Sequence, residues 1–325
     1  MDAPLNLLEQ HEILNKLRCP SCKKGKLDIQ AEQAECRCLH SECGRTFSVY
    51  KNIPILINPD NSLFDAQEII RQHKSTQHEK LALKQMLRKL LPDLVLNTIT
   101  QQKIALFQQE ILKTKTEATV LIVGGGVEGK GIASLLRNRN IRCIESDIYI
   151  GPRTNLICDA HDLPFDDASI DAVLIQAVLE HVLDPQRCVA EIHRVLTPDG
   201  VVYAETPFMQ QVHMGAFDYT RFTHLGHRRL FRYFTEIDSG PTCGPGMALA
   251  WSFKYFLASL TSNRKLSKLL GVLASYLVFW VVYFDYFLIR HPGSYDAASS
   301  FFFLGRKAAY PLEDGELIQL YRGLT

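Results

Sequence analysis

Five cysteines crowd into the first 43 residues: Cys19, Cys22, Cys36, Cys38 and Cys43. Cys19-Pro20-Ser21-Cys22 is a C-x-x-C turn, which presents two thiolates to one tetrahedral ion. A second pair must come from the stretch before Gly44. Cys38 and Cys43 are favoured, with Cys36 and His40 as rivals, since His40 also has x-x spacing to Cys43. Four ligands from two turns suit a structural zinc with no open position. The alternative is a set of reduced cysteines in a small core. MDAPLNLLEQ has neither a basic n-region nor an apolar core, so no secretory signal is expected. Clustered cysteines in a cytosolic protein point to metal rather than disulfides.

A second set of residues suits a nucleotide-like cofactor. Gly124, Gly126 and Gly129 in Gly124-Gly125-Gly126-Val127-Glu128-Gly129 match G-x-G-x-x-G, after a strand-like apolar run. Glycines at such a turn let backbone N–H groups approach a ligand closely. Asp147 lies about 20 residues on, at the end of the next strand, where it can accept hydrogen bonds from ribose hydroxyls. By themselves these residues fit NAD and S-adenosylmethionine (SAM) equally, and a ligand-free tight turn is the alternative.

The third set runs from His213 through Asp218, Tyr219 and Arg221 to Thr223. A hydroxyl acceptor gains from a base near neutral pKa, which histidine supplies. His213 is the candidate base, Asp218 its orienting partner or substitute, and Tyr219 and Arg221 the groups that position substrate. Equally open is a local Asp218–Arg221 ion pair that pins the loop. His224 and His227 read as N-terminal features of a helix over 228–233.

These residues need a scaffold. The chain has 325 residues, 46% hydrophobic and 22% charged, with net charge +1. Such a balance carries no strong nucleic-acid signal and no broad attraction for anionic lipid. Residues 1–60 form a cysteine-bearing module ending in a strand over 53–57. Residues 61–115 form a helical connector, with Leu83, Met86, Leu87, Leu90 and Leu91 at helical spacing and a break at Pro92 and Asp93. From 116 to 325 strands and helices alternate: strands over 119–123, 141–144, 172–175 and 200–205, and helices over 131–137 and 187–196. This alternation implies an α/β fold with a parallel sheet covered on both faces. An apolar, helical insertion over about 241–296 precedes a last strand over 300–304.

The ordered series from Gly124 onward carries a resemblance. Asp159-Ala160-His161-Asp162-Leu163-Pro164 is followed by Gln176-Ala177-Val178-Leu179-Glu180-His181 and then by Leu196-Thr197-Pro198-Asp199-Gly200. Over residues 119–206 the chain resembles the class I SAM-dependent methyltransferases of the small-molecule type, with their Rossmann-like sheet. The resemblance implies that Gly124 and Gly126 face the amino-acid part of SAM and Asp147 the ribose. Asp159 and Ala160 would meet the adenine, and Gln176 and Ala177 would line the pocket near the sulfonium. Two departures stand out: Ile122 replaces a common acidic residue, and Glu128 stands where a third glycine is usual, with Gly129 after it. Glu128 is a candidate for the missing charge. Glu180-His181 fits an orienting role at the sheet edge better than a chemical one.

Residues 17–56 resemble the small zinc-ribbon proteins that activate methyltransferases as separate subunits, here fused in cis. The segment from His213 to Thr223 is similar to H-x-x-x-x-D-Y-x-R-[FY]-T in methyltransferases of glycan or lipid-linked saccharide assembly. Together these imply methyl transfer from SAM, to oxygen, on an amphiphilic or glycan-related acceptor. Alternatives are an RNA guanine methyltransferase reading RNA through the ribbon, an NAD-dependent oxidoreductase, and a non-catalytic zinc-ribbon adaptor. The run over 269–289 carries one charge, Asp285, and is long enough to span a bilayer. A return to the same sheet favours helices lying on a membrane, or lining an acyl groove, through residues 248–289. Lys254, Arg264, Lys265 and Lys268 suit an anionic headgroup layer. Burial against the domain or a second subunit in a homo-oligomer, and a true span, remain alternatives. The expected location is the cytoplasm, with peripheral contact at the inner face of the membrane.

Overall fold

A computed structural model describes residues 6–76 and 91–324. The expected helical positions Leu83, Met86, Leu87 and Leu90 lie outside the described residues. The strands are β1 (Leu27–Gln30), β2 (Glu35–Cys38), β3 (Thr46–Tyr50), β4 (Ile53–Leu56), β5 (Ala118–Val123), β6 (Ile141–Asp147), β7 (Leu156–Cys158), β8 (Ile170–Gln176), β9 (Leu196–Pro207), β10 (Phe234–Cys243) and β11 (Ser300–Lys307). The first helices are α1 (His11–Leu14), α2 (Ala66–Thr76), α3 (Thr100–Leu112), α4 (Ala133–Leu136) and α5 (Pro185–Val195). They are followed by α6 (His224–Leu230), α7 (Pro245–Ala258), α8 (Arg264–Val278), α9 (Asp285–Leu288), α10 (Gly293–Ala297) and α11 (Asp314–Gln319).

The eleven strands of the described residues form one sheet, in the order β1-β2-β3-β4-β7-β6-β5-β8-β9-β11-β10. From β7 to β9 the neighbours are parallel, and β11 and β10 close the far edge antiparallel. This is the Rossmann-like α/β arrangement expected from the alternation. The central strand β5 is buried at every position, as a strand covered on both faces must be. Its alternate side chains feed two cores: Leu121 and Val123 pack on the side of α5, and Val120 and Ile122 on the side of α3. Each such side chain removed from water contributes about 1.5–3 kcal/mol.

The cysteine-bearing strands join this sheet. β4 pairs parallel with β7, with Ile55 opposite Ile157 and Leu56 opposite Cys158. A two-residue turn, Lys51 and Asn52 at φ +50° and +64°, brings β3 back as β4 with Tyr50 opposite Ile53. Positive φ at both central residues matches the twist of a tight hairpin.

Sequence periodicity missed β7 and β10. The helix expected over 131–137 is only the single turn Ala133–Leu136, and the expected 228–233 helix runs instead over His224–Leu230. His224 and His227 are therefore in its first turns and buried, packed edge-on against Tyr295 and Phe231. Burial holds their pKa values down at about 4 and about 3.

The insertion leaves the sheet at Cys243 and returns at Ser300, which are paired neighbours. Its two ends are thus adjacent. Asp285 is buried, and its carboxylate accepts the N–H groups of Gly246 at 2.7 Å and Met247 at 2.9 Å. A negative charge at the N-terminus of α7 is favourable, and it satisfies donors that the helix cannot.

Candidate active site

Four parallel strands end at one cavity. It encloses about 540 Å³ and is lined by Gly124 after β5, Asp147 at the end of β6, and Ala177 and Val178 after β8. Asp159, Ala160 and His161, which follow β7, complete that side. Open α/β sheets place ligands at these carboxyl ends, and the size suits a nucleoside-containing cofactor. A larger cavity of about 720 Å³ lies beside α5 and α6 and shares no residue with this set.

The glycine turn is shaped by close approach. Gly124 has φ +79°, and a Cβ there would lie 2.3 Å from Val178 Cγ2. Ala177 takes φ +52° without being glycine, a conformation costing roughly 1–2 kcal/mol. Asp147 sits beneath the turn: Oδ2 accepts Gly126 N–H at 2.9 Å, and Oδ1 accepts Ile148 N–H at 2.7 Å and Tyr149 N–H at 3.2 Å. Burial nevertheless raises its pKa above the usual range.

Asp159 is clamped from two sides. Ser62 donates to Oδ2 at 2.6 Å, while His161 donates from its backbone at 3.0 Å and from Nδ1 at 2.6 Å. Burial pushes this carboxyl up, but the bonds from His161 and Ser62 outweigh it and hold the pKa low. A carboxylate offers about four acceptor directions, so Asp147 and Asp159 each keep one for a ligand. Both residues fit the hydroxyl and amine donors of an adenosine.

Other candidate residues stand apart. Gly126 reaches the site through its N–H to Asp147. Glu128 is exposed on the turn, and neither it nor Gly129 lines the cavity. Gln176 points away, towards Gly129 and the Lys130 carbonyl. Asp218 and Arg221 form an ion pair, and Asp218 also accepts the N–H groups of His213 and Met214. Arg221 further donates to the carbonyls of Gln210, Thr220 and Gln211. The pair therefore pins the loop and does not line the cavity, unlike His213 and Tyr219.

At the loop end of the cavity Glu180 is fully buried, and both its oxygens lack a hydrogen-bond partner. Burial pushes its carboxyl up to about 8. His181 Nε2 lies 3.6 Å and His213 Nε2 3.9 Å from Glu180 Oε1. Sequence reasoning favoured an orienting role for Glu180 and His181 over a chemical one. It also missed Asn61, Leu63 and Phe64, which form a wall of the cavity.

In the ribbon, the Sγ atoms of Cys19, Cys22, Cys38 and Cys43 lie within 4.8 Å of one another. Cys36 is in the core, its thiol pushed up to about 12 by burial, and His40 is not part of the cluster. A Cβ on Gly25 would lie 2.2 Å from Cys38 Sγ, so the turn is moulded to the sulfur. Burial raises the Cys22 thiol, but the backbone N–H groups of Lys24 and Gly25 hold it at about 6. Four converging sulfurs with N–H support have the chemistry of a closed tetrahedral zinc site.

A parallel sheet closed by an antiparallel hairpin, with this cavity across its carboxyl ends, is the architecture of a nucleotide-cofactor α/β domain. Residues 132–204, from α4 into β9, match the methyltransferase domain family, so this stretch carries a methyltransferase domain. The demethylmenaquinone methyltransferase of Clavibacter sepedonicus is 52% identical over 42 residues, or 13% of this chain and 17% of that protein. An uncharacterized 37.1 kDa protein in transposon TN4556 of Streptomyces fradiae is 50% identical over 42 residues, or 13% and 12%. The chain thus spans a small part of the length of these curated relatives. In structure it is similar to the 1,6-didemethyltoxoflavin-N1-methyltransferase of Burkholderia thailandensis, at TM-score 0.40 and 15% identity, over 83% of this chain and 98% of that one.

Proposed function

We propose that this chain transfers a methyl group from SAM to a hydroxyl oxygen of a glycan-related or lipid-linked acceptor. The observation that carries the reading is the pairing of Asp147 and Asp159 across one cavity, each with an acceptor direction left for an adenosine. Bound there, SAM supplies an electrophilic methyl group on a sulfonium. The protein's part is alignment for in-line displacement, together with removal of the acceptor's proton.

The acceptor end is the loop carrying His213, Met214, Phe217 and Tyr219. Two bonds tie this loop to the insertion: Gln211 donates to Ser252 Oγ at 3.1 Å, and Tyr255 donates to the Val212 carbonyl at 3.2 Å. Beyond them α7 and the following helices expose Leu249, Phe256, Leu260, Leu269, Leu273 and Phe287. Residues 264–288 form the one stretch, among the described residues, long and apolar enough to cross a membrane by length and composition. The adjacent ends of the insertion and the pinned Asp285 support helices that lie on a membrane surface beside the site. Such a position brings an amphiphilic acceptor's head to His213 while its apolar part stays outside.

The same reading assigns the four-cysteine cluster a structural zinc. The ribbon then has a definite task, because the segment after β4 supplies Ser62 to Asp159 and Phe64 to the cavity wall.

Calorimetry with S-adenosylhomocysteine tests the cofactor assignment. The wild type is expected to bind, and Asp147→Ala to bind at least about tenfold more weakly, the loss of one charge-assisted hydrogen bond. Absence of binding by the wild type would sink the reading. For the acceptor, labelled SAM is added to extract separated into lipid, glycan, RNA and protein pools. Label in RNA would replace the glycan or lipid assignment.

A further inference from the structure

Glu180 presents a physical problem that the cofactor does not solve. Its carboxylate is fully buried, and neither oxygen finds a donor. A carboxyl in such a place is held protonated by burial unless a partner or a metal takes its charge. The imidazoles of His181 and His213 stand beside it, yet neither is within hydrogen-bond distance. His181 Nδ1 donates to the Phe217 carbonyl at 2.7 Å, and His213 Nδ1 lies 3.2 Å from the Gln211 carbonyl. A carbonyl only accepts, so each ring in its neutral form carries its proton on Nδ1 and leaves a lone pair on Nε2.

Three electron-pair donors therefore face one another: Glu180 Oε1 and the two Nε2 atoms, at 3.6 and 3.9 Å from that oxygen. These separations are too long for hydrogen bonds. They are close to what a shared ion needs, since bonds of about 2.1 Å put two ligand atoms roughly 3–3.7 Å apart. The rings meet edge to face with centroids 4.9 Å apart, and the ligand atoms of all three residues lie within 4.8 Å of one another. The Nδ1–H bonds to backbone carbonyls are the outer contacts that fix a metal-binding histidine in tautomer and orientation.

We propose that Glu180, His181 Nε2 and His213 Nε2 form a binding site for a divalent cation at the acceptor end of the cavity. Two imidazoles and one carboxylate leave coordination positions open, and His181 and His213 both line the cavity. Those positions take the oxygen of the acceptor, which makes the substrate class a hydroxyl compound and not an amine. This rests on the methyltransferase reading. With a cation polarising the hydroxyl, the O–H proton passes to solvent. The oxygen then bonds to the methyl carbon as the carbon–sulfur bond of the donor breaks, leaving a neutral thioether. In this arrangement His213 is a ligand and not a base.

The test uses the full-length protein, desalted into buffer free of divalent cations without a strong chelator so that the four-cysteine cluster keeps its metal, and Mn²⁺ as the probe, read by loss of the free Mn²⁺ electron paramagnetic resonance signal. Mn²⁺ prefers oxygen and nitrogen ligands, so it does not report on the four thiolates. The wild type is expected to take up one Mn²⁺ per chain. Glu180→Gln and His213→Ala are each expected to weaken uptake at least tenfold. His213 lies on a loop and is partly exposed, so its variant keeps the test valid if Glu180→Gln fails to fold. No uptake by the wild type up to millimolar Mn²⁺, or uptake that neither substitution weakens, overturns the proposal. S-adenosylhomocysteine calorimetry on the same samples separates the two readings. Cofactor binding without Mn²⁺ uptake removes the cation site and leaves the methyltransferase reading, whereas Mn²⁺ uptake without cofactor binding does the reverse.

Discussion

The ribbon and the apolar insertion are both additions to the same α/β sheet, and they are attached in opposite ways. The ribbon shares the sheet through β4 and shares the core through Leu17, Cys36, Phe47 and Val49. Lys23 bridges Asp162 at 2.9 Å and Glu191 at 2.8 Å, and Arg18 and Lys26 both pair with Asp166. The insertion shares only a small core with the segment before α3, where Leu94 packs with Ala250 and Val282, and leaves most of its apolar side chains in solvent. One addition completes the fold, and the other presents a surface. Removing buried ribbon contacts should therefore cost stability and cofactor binding together, whereas changes on the exposed insertion should cost neither.

The largest effect is expected from Cys22→Ser, or from removing metal with a chelator. If the four-cysteine cluster holds the proposed zinc, its loss removes on the order of 10 kcal/mol of binding free energy, and β1 to β4 lose that anchor. The melting temperature should fall, and S-adenosylhomocysteine binding should weaken with it, because Ser62 no longer steadies Asp159. A melt and a calorimetric titration with and without chelator measure both. If cofactor affinity is unchanged while the melting point falls, the ribbon is only a neighbour of the site.

Asp285→Ala probes a buried contact inside the insertion, between α9 and the start of α7. It leaves the N–H groups of Gly246 and Met247 buried without a partner, a cost of about 1–3 kcal/mol. Thermal denaturation should show this loss, with cofactor binding retained. A neutral result would mean that α7 finds other acceptors.

How far the sequence shows this division depends on scale. The strands β5, β6, β8 and β9 are legible because they contain runs of buried and mostly apolar residues, continuous in β5. β7 has only the residues Leu156–Cys158, too few for a period, and with it went the join between ribbon and sheet. β10 contains Asp238-Ser239-Gly240-Pro241, which reads as a turn although it lies within the strand. The glycine turn, Asp147 and Asp159 stand where their order along the chain suggests, at strand ends. Phe64 and Ser62 were hidden in a stretch that looked like a connector. The convergence of Glu180, His181 and His213 is tertiary: the fold of the loop, held by Asp218 and Arg221, creates it, and no spacing announces it.

The smallest effect on stability, and the sharpest test of the contrast, is expected from the double substitution Phe256→Ser and Phe287→Ser. These side chains are 61% and 74% exposed, so folding does not depend on covering them. Exposed substitutions away from caps and cores ordinarily change stability by within about 0.5 kcal/mol. If the insertion lies on a membrane, each phenylalanine is buried there, and its loss removes roughly 1.5–3 kcal/mol of apolar contact with lipid. Co-sedimentation with vesicles containing anionic lipid should therefore fall at least about tenfold, while the melting temperature and S-adenosylhomocysteine affinity stay within error. Lys254, Arg264, Lys265 and Lys268 make the same binding salt-sensitive. A melting temperature that falls by several degrees, with vesicle binding unchanged or absent in the wild type, would mean that the insertion is a structural element like the ribbon.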